Sequence, residues 1–433
     1  MANSSHMPPS LWADTASAGR DYPALQGAQR SDVVIIGGGF TGLSAALALA
    51  KRGISTVLLE AESIGWGASG RNGGQVIPGL KYDPDELITR YGEERGERGE
   101  RMIALSAHNA DVVFDLIKQH NIDCDAQQRG WIQPAVTHAS LKAIESRARQ
   151  WQSRGVEIAW LNQQQCAERL GTSEYLGGWV DPRAGGLNPL AYARGLAQAA
   201  HEHGARLHEH TRVTSLTRTE GRWRVTAEGG TEIQAERVLL CTNGYSDALQ
   251  PKLASSLIAA NSYQIATRPL TAEEGSQILP GGEVASDARK LLLYFRRDRD
   301  GRLLMGGRGS FNDPRKPNDF RHLENAIIKL YPQLKDVEIA FRWAGRIAIT
   351  QDSLPHVHEP QPGLTVALGY NGRGVAMGSH LGKLLGEHLG EHSLEEALPF
   401  PVTPIKPIPL HGLQRLYVET VVNYYRARDW LER

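Results

Sequence analysis

Much of what would place this chain in a specialised class is missing from it. Only three cysteines, Cys124, Cys166 and Cys241, occur in 433 residues. They are too few and too scattered for a disulfide framework or a zinc site, which suits a reducing, cytoplasmic setting. No charge sign is in excess: 48 Lys and Arg balance 48 Asp and Glu, so no net field draws in nucleic acid. There is no run of about eighteen apolar residues, so no membrane-spanning segment is expected. The first residues, MANSSHMPPSLWADTA, have no basic head leading into an apolar core, unlike a secretory signal.

What the chain has in quantity is glycine, and its placement is informative. Residues 32–36, DVVII, read as a short buried strand that runs into GGGFTG. LSAALALAKRG then reads as a helix closing at Gly53, and STVLLE as the next strand. This is the βαβ unit of a parallel nucleotide-binding sheet, with Gly37-x-Gly39-x-x-Gly42 between strand and helix and Glu60 ending the second strand. Gly37 serves the tight turn, Gly39 admits a pyrophosphate to the backbone, and Gly42 lets helix and strand pack closely. The helix N-terminus offers unpaired N–H groups to the anion, and Glu60 can accept hydrogen bonds from ribose hydroxyls.

A second glycine-rich loop, GWGASGRNGGQ over 65–75, follows directly. A nicotinamide-binding unit has no need of it. A longer dinucleotide such as FAD does, because its flavin lies against backbone well beyond the half that holds adenine. Ser69, Arg71 and Asn72 add a hydroxyl, a cation and an amide to that loop. Near the other end, Gly369–Gly374 (GYNGRG) stands between the apolar strand LTVAL and the helix VAMGSHLGKLL, a second anion-favouring helix start suited to a reduced, negative flavin. Between these ends the strands have two characters: some short and apolar, others longer, alternating and joined by Gly-Gly or Asp-Gly turns. Two interleaved domains are expected, an α/β part and an α+β part.

The order GGGFTG, LLEA, GWGASGRNGG, CTNGY, WAG…T.D..P, GYNGRG resembles the D-amino-acid-oxidase-like FAD oxidoreductases, and within them the γ-glutamylputrescine oxidoreductase and polyamine-catabolic branch. The resemblance runs from about residue 31 to the C-terminal helix. It implies a Rossmann-like FAD-binding domain from 31–90, 171–250 and 342–400, interleaved with a substrate domain from 91–170 and 251–341 built on a large antiparallel sheet. Residues 401–433 are then a proline-rich linker and a final helix. It also implies oxidation of an amine C–N bond to an imine that hydrolyses to an aldehyde, with oxygen or a respiratory carrier as electron acceptor. Carried over residue by residue, Gly37, Gly39, Gly42, Glu60 and Ala61 would hold the ADP half, and Val213 and Thr242 would lie beside it. Ser69, Gly70, Arg71, Asn72 and Gly74 would line the diphosphate and flavin, and Gly372, Arg373 and Gly374 the flavin's pyrimidine edge. Tyr294, Arg296, Trp343 and Tyr370 are the substrate-side candidates; no obligate catalytic side chain and no metal are expected.

Two departures from the family pattern narrow this reading. No cysteine follows Cys241 and no histidine stands in the first flavin loop, so FAD is expected to be non-covalent. Relatives acting on free amino acids carry an arginine where this chain has Ile347, with Arg346 one residue earlier on the other strand face. A small amine is therefore the expected substrate, a polyamine or its γ-glutamyl derivative. The alternatives are an oxidase of N-methylated or D-amino acids, and a flavoprotein whose FAD is structural. His201 with His203, and His356 with His358, read as surface histidines rather than metal ligands. Tyr424 and Trp430 on the final helix read as docking onto the protein rather than a membrane.

Overall fold

The computed structural model describes residues 7–91, 97–389, 394–416 and 418–420. Its first sheet is centred on the strand Gln29–Ile36, whose Val33, Val34, Ile35 and Ile36 are all buried because helices cover both sheet faces. Thr56–Leu59 pairs parallel on one side and Glu232–Leu240 parallel on the other. Arg206–His208 and Leu364–Leu368 extend the parallel set outward, and His356–Gln361 closes one edge antiparallel. A meander of Val213–Thr219 and Arg222–Ala227 is attached through Glu232–Leu240.

Successive strands are thus laid down first on one side of Gln29–Ile36 and later on the other. The carboxyl end of that strand is where an open α/β sheet leaves its ligand crevice. From it the chain enters the helix Phe40–Lys51 through Gly39. Gly42 is packed so closely on the Gly37 carbonyl oxygen that a β-carbon there would collide with it.

The second sheet also has eight strands, in the order Ile339–Ile349, Ile258–Pro269, Arg302–Arg308, Tyr294–Arg297, Val284–Ser286, Trp131–Ala135, Gly177–Asp181, Ala159–Leu161. All neighbours are antiparallel except Val284–Ser286 beside Trp131–Ala135. One face is covered by the helix Arg321–Leu330, whose Leu323, Ile327 and Leu330 pack with Tyr263, Ile265, Phe295 and Met305. Alternation along the strands turns Ser262, Gln264 and Tyr294 to the opposite face, where they line a cavity.

Pairing redraws the expected division of the chain at three places. Ile339–Ile349 is zipped to Ile258–Pro269 from Ile258↔Ile349 to Thr267↔Ile339, so 342–349 belongs to the second sheet. Gly177–Asp181 likewise pairs with Trp131–Ala135. In both cases partners far away in sequence decide membership. The proline-rich segment is a strap more than a linker: Leu398 and Phe400 are buried, Thr403 N–H donates to Val357 O at 3.0 Å, and Ile408 N–H to Ser255 O at 2.8 Å. Its prolines lack the donors needed for a continuous ladder. His358, expected at the surface, is buried against this strap with Nδ1 2.7 Å from Thr403 O. Tyr424 and Trp430 lie outside the described residues. Among the described residues no helix is long and apolar enough to cross a membrane.

Candidate active site

Between the carboxyl ends of the parallel strands and the inner face of the second sheet lies a cavity of ≈ 1360 Å³. Sites for compact small ligands are smaller, about 300–1,000 Å³. At one end Gly37, Gly39, Glu60, Ala61, Val213 and Thr242 form the wall. Glu60 Oε2 accepts the Gly38 N–H at 2.6 Å and Oε1 the Glu62 N–H at 3.0 Å. Burial pushes this carboxyl's pKa up, and those backbone donors oppose the shift. Ser69 Oγ accepts the Phe40 N–H at 3.0 Å, which ties the second glycine loop to the start of the helix Phe40–Lys51.

That loop is held from several directions. The Arg71 carbonyl accepts from Gln264 Nε2 at 2.7 Å and Trp343 Nε1 at 2.9 Å. The Asn72 carbonyl accepts from Trp12 Nε1 at 2.7 Å, and the Gly74 carbonyl from Arg296 Nη1 at 2.8 Å. Asn72 Oδ1 accepts the Gly74 N–H at 2.8 Å. Gly74 has φ +67 and lies against the Leu187 carbonyl, so a side chain there is excluded by conformation and by space. The Arg71 guanidinium lies over Trp66, 4.1 Å from its ring centroid, and donates through Nε to the Trp66 carbonyl at 2.7 Å. Its Nη2 is buried with no hydrogen-bond partner in the protein.

The expected site residues separate into two groups. Ser69, Arg71, Asn72, Tyr294, Tyr370, Gly372, Arg373 and Gly374 all meet the cavity, together with the six residues at the far end. Gly42, Gly70 and Gly74 stand behind the wall as packing positions. Two substrate-side candidates are corrected. Arg296 does not line the cavity; it is buried, with Nη1 held by the carbonyls of Gly74 and Leu187, both at 2.8 Å. Trp343 is also off the wall, buried against Trp12 with ring centroids 5.9 Å apart. Each spends its polar group on the glycine loop. The Tyr370 hydroxyl is similarly engaged, 2.7 Å from Thr41 Oγ1. Arg346, expected on the face opposite Ile347, reaches the wall beside it, because its strand is the sheet's edge. There it pairs with Asp313 at 3.2 Å and lies over Tyr245 at 5.5 Å.

Sequence reading missed Trp12, Gln264, Lys81 and Arg147. Trp12 and Arg147 carry no local signal; Gln264 was legible only as one position of an alternating strand. Among the described residues, no group of His, Cys, Asp or Glu is placed to hold a metal ion.

The residues present fit a long dinucleotide. A strand-to-helix glycine turn with a half-buried acid stands at one end, and a braced glycine loop with an unsatisfied guanidinium N–H leads toward the second sheet. This is the architecture of a flavin-dependent oxidoreductase, and the family described as FAD dependent oxidoreductase (DAO) matches residues 32–388. The chain belongs to that family and is an FAD-dependent enzyme. It is 34% identical to a probable oxidoreductase OrdL of Rhizobium meliloti over 363 residues, 83% of each chain. It is 31% identical to the γ-glutamylputrescine oxidoreductase of Escherichia coli over 427 residues, 98% of each. Among solved structures, glycine oxidase from Geobacillus kaustophilus shares the fold with a TM-score of 0.71 at 22% identity, covering 87% of this chain and 99% of that one.

Two outcomes follow from the geometry. Glu60→Ala removes the acceptor proposed for the ribose and frees the Gly38 N–H, so FAD affinity should fall by about 1.5–3 kcal/mol. Titration of apoprotein with FAD measures it, and unchanged affinity would mean the acid does not meet the cofactor. Arg296→Met strips two charge-assisted bonds from carbonyls of the loop region. It should lower the melting temperature and FAD retention and leave KM of the remaining holoenzyme nearly unchanged. A raised KM with normal FAD content would return Arg296 to the substrate side.

Proposed function

We propose that the enzyme oxidises the C–N bond of a primary or secondary amine, a polyamine or its γ-glutamyl derivative, with FAD held non-covalently. The observation that carries the substrate reading is Ile347 on the cavity wall. An α-carboxylate brought against it meets no cation of its own, and burying an unpaired carboxylate costs several kcal/mol. The full-length similarity to a γ-glutamylputrescine oxidoreductase supports the same class. Non-covalent binding is supported by the wall composition: among its described residues there is no histidine, and the one cysteine is the buried Cys241.

Bound FAD supplies the acceptor for the two electrons leaving the C–N bond. The protein's part is to orient the amine and keep bulk water away. On the wall Trp66 and Tyr245, packed edge to face with ring centroids 5.6 Å apart, both carry the Arg71 guanidinium, and Tyr294 offers a hydroxyl whose other partner is Ser262 Oγ at 2.7 Å. The nearest wall carboxylate on the second sheet, Asp287, already accepts from the backbone of Leu293 at 3.1 Å and Arg289 at 3.3 Å. It also faces the Arg289 guanidinium at 3.4 Å. With that acid committed, the amine enters as its neutral base, having lost its proton to solvent, and the released imine hydrolyses in water.

A second reading has one observation in its favour. Arg346 reaches the wall next to Ile347, and by leaving Asp313 it could grip the carboxylate of an N-methylated or D-amino acid. A substrate panel followed by anaerobic flavin bleaching separates the two. Putrescine-type and γ-glutamylated amines should exceed sarcosine, glycine and D-alanine in kcat/KM. A preference of about tenfold for a free α-amino acid, ~1.4 kcal/mol of transition-state binding, would favour the second reading, and no bleaching by any compound would point to structural FAD.

The limiting rate of flavin reduction should also rise with pH. An alkylammonium has a pKa of about 10.4 in water, and an apolar site lowers it by disfavouring the cation. Only the neutral form delivers hydride, so the rate climbs toward that pKa. Stopped-flow rates flat from about pH 6 to 10 would contradict a neutral-amine step.

A further inference from the structure

One part of the cavity carries more positive charge than the reaction requires. Its wall is made by Trp131 and Gln133 of the second sheet, by the helix His138–Gln152, and by Lys81 just beyond the glycine loop. Arg147, on that helix, is engaged: Nε bonds Asp83 Oδ1, and Nη1 donates to Gln133 Oε1 at 3.0 Å. Arg373 donates to the Pro78 carbonyl at 3.1 Å and lies over Trp131, 5.0 Å from the ring centroid. The other carboxylates nearby are taken as well, Asp181 by Arg183 at 2.6 Å and Asp287 by Arg289 at 3.4 Å.

Lys81 differs from these. Its side chain is exposed to the cavity yet surrounded by protein, and among the described residues its ammonium pairs with no carboxylate. Burial, and after it the guanidinium groups of Arg373 and Arg147, pull its pKa down to about 8. Five cations (Lys81, Arg147, Arg183, Arg289, Arg373) therefore share three carboxylates (Asp83, Asp181, Asp287), and Lys81 and Arg373 are left without one among the described residues. Such an excess is costly away from bulk water unless an anion joins it. The chain's own helix start, glycine turn and Glu60, where a dinucleotide phosphate fits, belong to the other sheet.

We propose that Lys81, backed by Arg373 and Arg147, receives a carboxylate of the substrate lying several bonds from the amine that is oxidised. The inference rests on the amine reading above and selects within it. The preferred substrate is an amine with a remote carboxylate, such as a γ-glutamyl diamine, rather than a bare polyamine, whose second ammonium these groups would repel. The carboxylate forgone at Ile347 is thereby accommodated elsewhere in the same cavity.

The test compares a γ-glutamyl diamine with its primary carboxamide, which differs only in that charge, on holoenzyme carrying Lys81, Lys81→Met or Lys81→Arg. In anaerobic stopped-flow reduction, the unmodified enzyme should bind the carboxylate about 10- to 100-fold more tightly than the carboxamide, the range of a charged hydrogen bond. Lys81→Met should abolish that difference while leaving FAD content, the flavin spectrum and the carboxamide's limiting rate unchanged, and Lys81→Arg should keep most of it. Equal weakening of both compounds, a slower limiting rate for both, or loss of FAD would overturn the proposal. Should no amine reduce the flavin, the amine reading fails by itself. The anion site is then judged by calorimetric titration with glutarate, whose binding should still depend on Lys81; binding unaffected by Lys81→Met would overturn it.

Discussion

The carbonyl groups of residues 71–74 are the constraint on which the active region depends. A glycine-rich loop has no side-chain mass to pack and a high entropic cost of ordering. Here the cost is offset by donors from four separate parts of the chain: Trp12 from the N-terminal helix Leu11–Thr15, Gln264 and Trp343 from two paired strands, and Arg296 from the strand Tyr294–Arg297. The same loop meets the start of the helix Phe40–Lys51 through Ser69. This segment thus ties the first sheet's helix to strands of the second, beside a further junction where Asn371 N–H donates to Ala348 O at 3.2 Å, and the cavity between the sheets takes its shape from where these segments are held.

Charge is distributed unevenly along this cavity. At the dinucleotide end, acids dominate the wall turns, with Glu60 half-buried and Glu62 paired to Arg212 at 3.1 Å. Toward the second sheet the balance reverses, and aromatic faces support the cations: Trp66 under Arg71 and Trp131 under Arg373. Such stacking holds a guanidinium in place while leaving its N–H edge available to a ligand. Membership of the FAD-dependent family accounts for the first half of this arrangement. The second half is built from this chain's Arg71, Arg147, Arg373 and Lys81.

The reach of local pattern shows in particular elements. Gly37, Gly39, Gly42 and Glu60 were legible because a tight turn, a helix start and a strand end follow each other within one βαβ unit, and the structure puts them together where expected. The strand 339–349 was legible as a strand but not as a member of the second sheet, since nothing in its own residues names its partner. Arg296 and Trp343 were misjudged for a related reason. A polar or aromatic residue beside a predicted cavity looks the same in sequence whether it faces ligand or a backbone carbonyl from 200 residues away.

By itself the sequence determined the class of cofactor, the two kinds of strand, and the absence of an arginine at 347. Each is a matter of residue type at short spacing, where backbone geometry leaves few choices. Only the tertiary structure decided which side chains meet the cavity, that Trp12 and Arg296 serve the loop, and that Lys81, Arg147 and Arg373 converge. Those depend on strand register and on contacts between segments remote in the chain; a one-residue change in register would turn the strand residue Arg296 to the opposite face.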